Sequence, residues 1–201
     1  MKRTFFALVS ALLLASGVAS ASTSIAVPLV ASAPSLDPHA ASFGGATLTL
    51  GWDATNSADA SEAATVHLVS DSKYLYVRYD VPQSEPLIGA DGGDNVAIDL
   101  WPNGMSGDYY HFGVQLNGMH SPDSTKNTAT WEGSATSRAG SYTVTMKIPT
   151  SALEGSSSQV QFSRWITTTA TQQVWSHQSG QAADAVAQAG TITLASSVGK
   201  N

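Results

Sequence analysis

One stretch limits the possible folds more than any other: Asp94 to Asn117, DNVAIDLWPNGMSGDYYHFGVQLN. In its first half Val96, Ile98 and Leu100 alternate with Ala97, Asp99 and Trp101. In its second half Tyr110, Phe112, Val114 and Leu116 alternate with Tyr109, His111, Gly113, Gln115 and Asn117. A period of two is that of a strand with one buried face and one face turned outward. The link Pro102-Asn103-Gly104 suits a turn, because proline presets its backbone angle and Asn-Gly tolerates positive φ. The stretch therefore predicts a β-hairpin. Its outward face collects Asp99, Trp101, Tyr109, His111, Gln115 and Asn117. Aromatic rings beside hydrogen-bonding groups could receive a polar ring-shaped ligand such as a sugar. The competing reading is an ordinary solvated sheet face, or one covered by a loop.

The rest of the chain repeats the strand signal. Ala46–Trp52, Thr65–Val69, Tyr74–Val81, Ser141–Pro149, Gln159–Thr168 and Gly190–Ala195 all read as strands, with a shorter one around Trp131. Ser70-Asp71-Ser72-Lys73 joins two of them as a four-residue turn. Asp53–Ala63, Pro82–Gly93, Met119–Lys126 and His177–Ala189 read as loops, the last with room for a short helix. Thr150–Glu154 suits a single helical turn with a Thr or Ser cap. Arg164 falls on the same face as Val160, Phe162 and Ile166, so it requires a partner or a route to solvent. Many short strands, turn signals between them and no sustained 3.6-residue period predict an all-β protein, an antiparallel β-sandwich of two sheets in the immunoglobulin-like or jelly-roll-like manner.

Lys2 and Arg3 precede an apolar run from Phe5 to Leu14, and Ala19-Ser20-Ala21 fits a small-x-small cleavage site. Residues 1–21 thus read as a secretory signal peptide cut after Ala21, which implies a secreted or periplasmic protein. A membrane anchor is the alternative, but the run is short for a span. Residues 22–40, dotted with Pro28, Pro34 and Pro38, read as an extended lead-in or edge segment, with Val27, Leu29 and Val30 able to dock on the domain. Residues 41–196 form the expected sandwich, and 197–201 a frayed tail. Without a single cysteine the fold must hold by its core alone or with a bound ion. Charged residues make up 12% of the 201 and the net charge is −6, which is no nucleic-acid footprint.

The candidate ligand residues are Trp175, Trp101, Tyr109, His111 and Gln115. Each has a structural reading beside it. Trp175 in a late loop would equally cover the core, Trp101 ends a strand beside a proline, and an exposed strand histidine is commonplace. Trp52, Trp131 and Trp165 read as packing residues. Asp91, Asp94 and Asp99 are candidate calcium ligands, since calcium takes carboxylate and carbonyl oxygens. Their spacing matches no EF-hand, and charged loop ends are often simply solvated. The same carboxylates as a glycosidase pair would need a fixed separation that no sequence feature supplies. No catalytic nucleophile or phosphate loop is present, so no enzymatic activity is expected.

The order of motifs resembles a known family. It runs through Thr65-Val66-His67-Leu68, Leu75-Tyr76-Val77, Gly93-Asp94-Asn95-Val96-Ala97-Ile98-Asp99 and Tyr110-His111-Phe112-Gly113-Val114-Gln115-Leu116-Asn117-Gly118. Tyr142-Thr143-Val144, Ile148-Pro149, Leu153, Phe162-Ser163-Arg164, Trp175-Ser176 and Gly190 complete it. From about Ala40 to Ala195 the chain resembles carbohydrate-binding module family 9 and, more broadly, the DOMON-like sandwiches that bind sugars or haem. The resemblance implies a sugar clamped between two tryptophans, with Trp175 at the later one. It also implies an acidic residue where this chain has Ala97, an arginine where it has Gly113, and commonly an asparagine where it has Gln115. The loop before Asp94 holds Leu87 and Ile88 but no ring for the earlier tryptophan. The haem-binding relatives suggest a second reading, with His111, Met105, Met119 and His120 available as axial ligands. A third is a cell-envelope structural or interaction module with a protein partner and no small ligand.

Overall fold

The computed structural model describes residues 23–89, 93–104, 107–121, 130–175 and 189–196. The signal-peptide reading, Asp91, Met105 and most of the His177–Ala189 loop lie outside them. The elements are β1 (Ser24–Val27), β2 (Ala46–Asp53), β3 (Ala58–Ser70), β4 (Tyr74–Pro82), β5 (Asn95–Trp101), β6 (Tyr110–Gln115), β7 (His120–Ser121), β8 (Glu132–Arg138), β9 (Ser141–Pro149), β10 (Ser157–Ile166), β11 (Thr171–Val174) and β12 (Gly190–Leu194). A 3-10 turn at Thr150–Leu153 links β9 to β10.

The strands pair in the order β7-β6-β5-β10-β11-β2-β3-β4-β9-β8, and β12 pairs with β10 and β1. The path folds over into two layers, the antiparallel sandwich expected from the strand pattern. Its two ends approach each other: the space beside Gly133 in β8 is taken by Val114 of β6, and Trp131 meets Phe112 edge-on at 5.4 Å between ring centroids. Alternation builds the core. Val96, Ile98 and Leu100 of β5, Phe112 and Val114 of β6, and Val160 and Phe162 of β10 are fully buried. They face Val66 and Leu68 of β3, Val77 and Tyr79 of β4, and Val144 and Met146 of β9 within one apolar cluster. Burying each such side chain contributes about 1.5–3 kcal/mol. The Tyr79 hydroxyl crosses between the layers and donates to the Ala97 carbonyl at 2.8 Å.

Two details depart from the sequence expectation. Strand β3 begins at Ala58, within the expected loop, and pairs with β2 across a bulge between Leu50 and Trp52. Ala and Ser carry no alternation signal, so backbone pairing extends a strand that side chains do not announce. The bulge adds a residue to one strand and so shifts which side chains face inward beyond it. The 3-10 turn lacks its expected Thr or Ser cap, because Pro149 stands at the capping position without a side-chain hydrogen bond. The lead-in is docked. Its β1 runs parallel to β12, and the chain then crosses the outward face of β4 and β9. There the Leu36 carbonyl accepts from Thr145 Oγ1 at 2.6 Å and the Ala40 carbonyl from Arg78 Nη1 at 2.9 Å. Tyr76, Arg78 and Thr145 are consequently buried. One outward face of the sandwich is thus strapped over.

Asp94, just before β5, is fully buried and all its acceptor capacity faces inward. Oδ2 accepts from Gln83 Nε2 at 2.6 Å and from the Leu87 N–H at 2.8 Å. Oδ1 accepts from the Thr167 N–H at 2.7 Å. One carboxylate therefore ties the loop after β4 and the turn after β10 to the start of β5. Asp94→Ala removes three short hydrogen bonds at once and leaves Gln83 Nε2 only its longer bond to the Glu85 carbonyl at 3.3 Å. It is expected to lower unfolding stability by about 3 kcal/mol, read as a reduced urea midpoint at unchanged slope.

Candidate functional site

The register of β5, β6 and β10 sets the outward face in rows. Trp165 lies beside Asn95, which lies beside Gln115. The next row is Ser163, Ala97, Gly113 and Ser121. Then come Gln161, Asp99 and His111, and last Gln159 and Trp101. All are out of phase with the buried Ile98, Phe112 and Phe162, which is why they share one side. Successive rows are about 7 Å apart along the strands, so Trp165 and Trp101 mark ends about 20 Å from each other. Between them the second row is a floor of small residues.

His111 and Asp99 are direct cross-strand neighbours, and Nδ1 lies 2.6 Å from Oδ1. A carboxylate only accepts, so Nδ1 carries the proton and the pair fixes the ring's orientation. The ring then lies over Gly113: a Cβ there would stand 2.6 Å from His111 Nε2 and 2.7 Å from Ser121 Cβ. This accounts for the glycine where the family resemblance implies an arginine. The space that a side chain would occupy is already filled by the imidazole.

The structure brings Trp101, Tyr109, His111 and Gln115 onto this one hairpin. Trp101 itself is buried and stacks against Tyr109 at 5.7 Å between centroids. Tyr109 is half-buried, so Trp101 acts as its backing. At the turn beyond them both oxygens of Glu154 hold the hairpin, one accepting from Asn103 Nδ2 at 2.9 Å and the other from the Tyr110 hydroxyl at 3.2 Å.

Trp175 is not brought to that face. Strand β12 pairs with β10 over residues 157–160 and β11 over 163–166, which leaves a gap on one edge of β10. Trp175 plugs it. Its backbone N–H donates to the Phe162 carbonyl at 3.0 Å. Its half-buried ring meets Phe162 edge-on at 5.6 Å and lies against Gly190, where a Cβ would come within 2.6 Å of the indole. Trp165, by contrast, reads as a packing residue in the sequence yet is 38% exposed, at the open end of the outward face. The signal was available: Trp165 is in phase with Gln161 and Ser163 and out of phase with Val160 and Phe162.

The calcium candidates separate. Asp91 lies outside the described residues, Asp94 points inward among its three N–H donors, and Asp99 is outward with His111. Among the described residues no group of three or more His, Asp or Glu side chains converges as a metal site. The haem candidates do not converge either: His120 is stacked on Trp131 at 4.2 Å, and Met119 is exposed.

No protein-family model and no curated protein matches the chain. Solved structures do. A carbohydrate-binding module of family 9 from Caldicellulosiruptor kristjanssonii, in complex with cellotriose, superimposes with a TM-score of 0.65. The two share 19% identity over 86% of this chain and 93% of that one. A family 9 module from the same organism in complex with glucose gives 0.62 at 18% identity, covering 86% and 96%. A candidate carbohydrate-binding protein from Bacteroides uniformis gives 0.56 at 16% identity, covering 87% and 100%. The fold of this chain is that of these β-sandwich modules, and among its described residues no helix is long and apolar enough to cross a membrane.

Because the His111 ring fills the space above Gly113, Gly113→Ala is expected to displace it and break its bond to Asp99. The cost is about 1–3 kcal/mol. The His111 ring resonances in NMR spectra of the variant should shift while the core methyl resonances stay in place.

Proposed function

We propose that this chain is a secreted, non-catalytic carbohydrate-binding domain whose ligand lies across the outward face of β5, β6 and β10. The observation that carries the reading is the Asp99–His111 pair set beside the Tyr109–Trp101 stack on one face of the hairpin. The fold shared with modules solved in complex with cellotriose and glucose supports it. In this reading Tyr109, backed by Trp101, offers a ring face to the apolar C–H surface of a sugar. His111, Gln115 and Asn95 supply hydrogen bonds to hydroxyls, and such bonds discriminate because an unmade one is costly. Trp165 offers a second ring at the far end, so the site suits an extended oligosaccharide better than a single residue. Trp175 takes a bracing role at the β10 edge, beneath the sheet that carries the site. The apolar run and small-x-small site at residues 1–21 support export.

The test is a binding screen of the purified protein against soluble and insoluble polysaccharides, followed by calorimetry with oligosaccharides of increasing length. Tyr109→Ala and Trp165→Ala are each expected to weaken binding about tenfold or more. Affinity should rise with chain length up to the span of the face. Trp175→Ala that folds normally but loses binding would move the site to the gap between β11 and β12. A folded protein that retains no polysaccharide in the screen would overturn the reading.

A further inference from the structure

On the other side of β10 the two layers part at one end. A cavity of about 410 Å³ opens there among the β2–β3 turn, the loop after β4 and the β10–β11 turn, within the range of small-molecule sites. Arg164 lines it, 1% exposed. Nη1 donates to the Pro82 carbonyl at 3.3 Å. Nε and Nη2 have no hydrogen-bond partner among the described residues. Gln83 and Gln173 line the same cavity, are 5% and 2% exposed, and each leaves its Oε1 unpartnered. Gln83 cannot turn to relieve this, since its Nε2 is held by Asp94 Oδ2.

Among the described residues no carboxylate forms an ion pair with the arginine. Asp53 reaches the cavity but its oxygens accept from the Thr55 N–H, the Asn56 N–H and Asn56 Nδ2 within its own turn. Glu62 and Glu85 stand exposed at the mouth, where solvent screens them. Burial pushes the guanidinium below its usual pKa, while the neighbouring Tyr142, Glu62 and Asp94 draw it back up. A desolvated cation with no hydrogen-bonded carboxylate is costly, and buried polar groups left unpaired in a native fold call for an occupant. The unused Nε and Nη2 form the planar edge that grips a carboxylate with two parallel hydrogen bonds. The two glutamine oxygens then call for donors on the same ligand.

We propose that this cavity binds a small hydroxylated carboxylate of the sugar-acid class. Its carboxylate lies against Nε and Nη2 of Arg164, and its hydroxyls donate to Oε1 of Gln83 and Gln173. The site is separate from the outward face, because Arg164 alternates with Ser163 and Trp165 along β10.

The probes are D-glucuronate, D-glucose and acetate, titrated into the protein and followed by calorimetry and by NMR of residues 164–173. Glucuronate is expected to bind and to shift those resonances. Glucose, lacking the anion, and acetate, lacking the hydroxyls, should bind at least about tenfold more weakly. Arg164→Lys keeps the charge but loses the fork, and should weaken glucuronate similarly. Because that variant alters a buried position, Gln173→Glu is the companion test. Gln173 is the cross-strand neighbour of Arg164, so the new carboxylate takes the fork itself. That variant should melt higher than wild type, lose glucuronate and keep polysaccharide binding on the outward face. No shift at residues 164–173 with glucuronate would mean a cavity filled by water alone. Glucuronate shifting residues 164–173 with unchanged affinity in Gln173→Glu, or glucose shifting those residues as tightly as glucuronate, would equally overturn the proposal.

Discussion

The fold depends on how one edge of β10 is shared. Its other edge is fully engaged, with Gln159 to Trp165 paired against Trp101 to Asn95. The shared edge hands residues 157–160 to β12 and residues 163–166 to β11. Two strands arriving end to end on a third cannot both continue, so the ladder breaks at Gln161 and Phe162. The Phe162 carbonyl, which would otherwise face the break, accepts from the Trp175 N–H. A buried carbonyl satisfied by the residue whose ring fills the same break removes two costs at one point. The division also joins the layers, since β11 carries the path on to β2 while β12 anchors the lead-in through β1.

The two outward faces then have different fates. The lead-in crosses β4 and β9, and the buried Arg78 and Thr145 donate to its carbonyls. Across β5 and β6 neighbouring side chains instead pair with each other, as His111 does with Asp99. Polar groups oriented by neighbours in the sheet hold their geometry before any ligand arrives. That is the preorganisation a binding surface needs to avoid an ordering cost.

The sandwich was legible because its central strands obey strict alternation, and β9 matches the sequence reading from Ser141 to Pro149. The start of β3 was not, because Ala58 to Ala63 offers no apolar period and is held by pairing with β2. The candidate face was legible in part. Periodicity set Asp99, His111 and Gln115 on one side, but it could not show that Tyr109 covers Trp101 or that β10 delivers Trp165 to the same surface. Those are facts of register between strands far apart in sequence. Trp175 illustrates the limit most clearly. A tryptophan in a late loop carries no period, and its surroundings are set by two strands, one of which lies beyond it in the chain. Arg164 was the reverse case: its inward phase marked an unmet requirement, which the cavity now locates.

The strap of residues 28–40 is recognised largely through its main chain. Leu36 and Ala40 present carbonyl oxygens to Thr145 and Arg78, and the short bridge of Leu29 to Ser70 is also made by backbone. Every residue type offers the same carbonyl, so this contact places little demand on side-chain identity. The residues that receive the strap are constrained, as is His39 within it, whose ring meets Thr136 Oγ1 and Arg138 Nη2, whereas the residues that offer only carbonyls can vary so long as the chain stays extended. Among sandwiches built this way, the covering segment should be the hardest part to align and the last to lose its place.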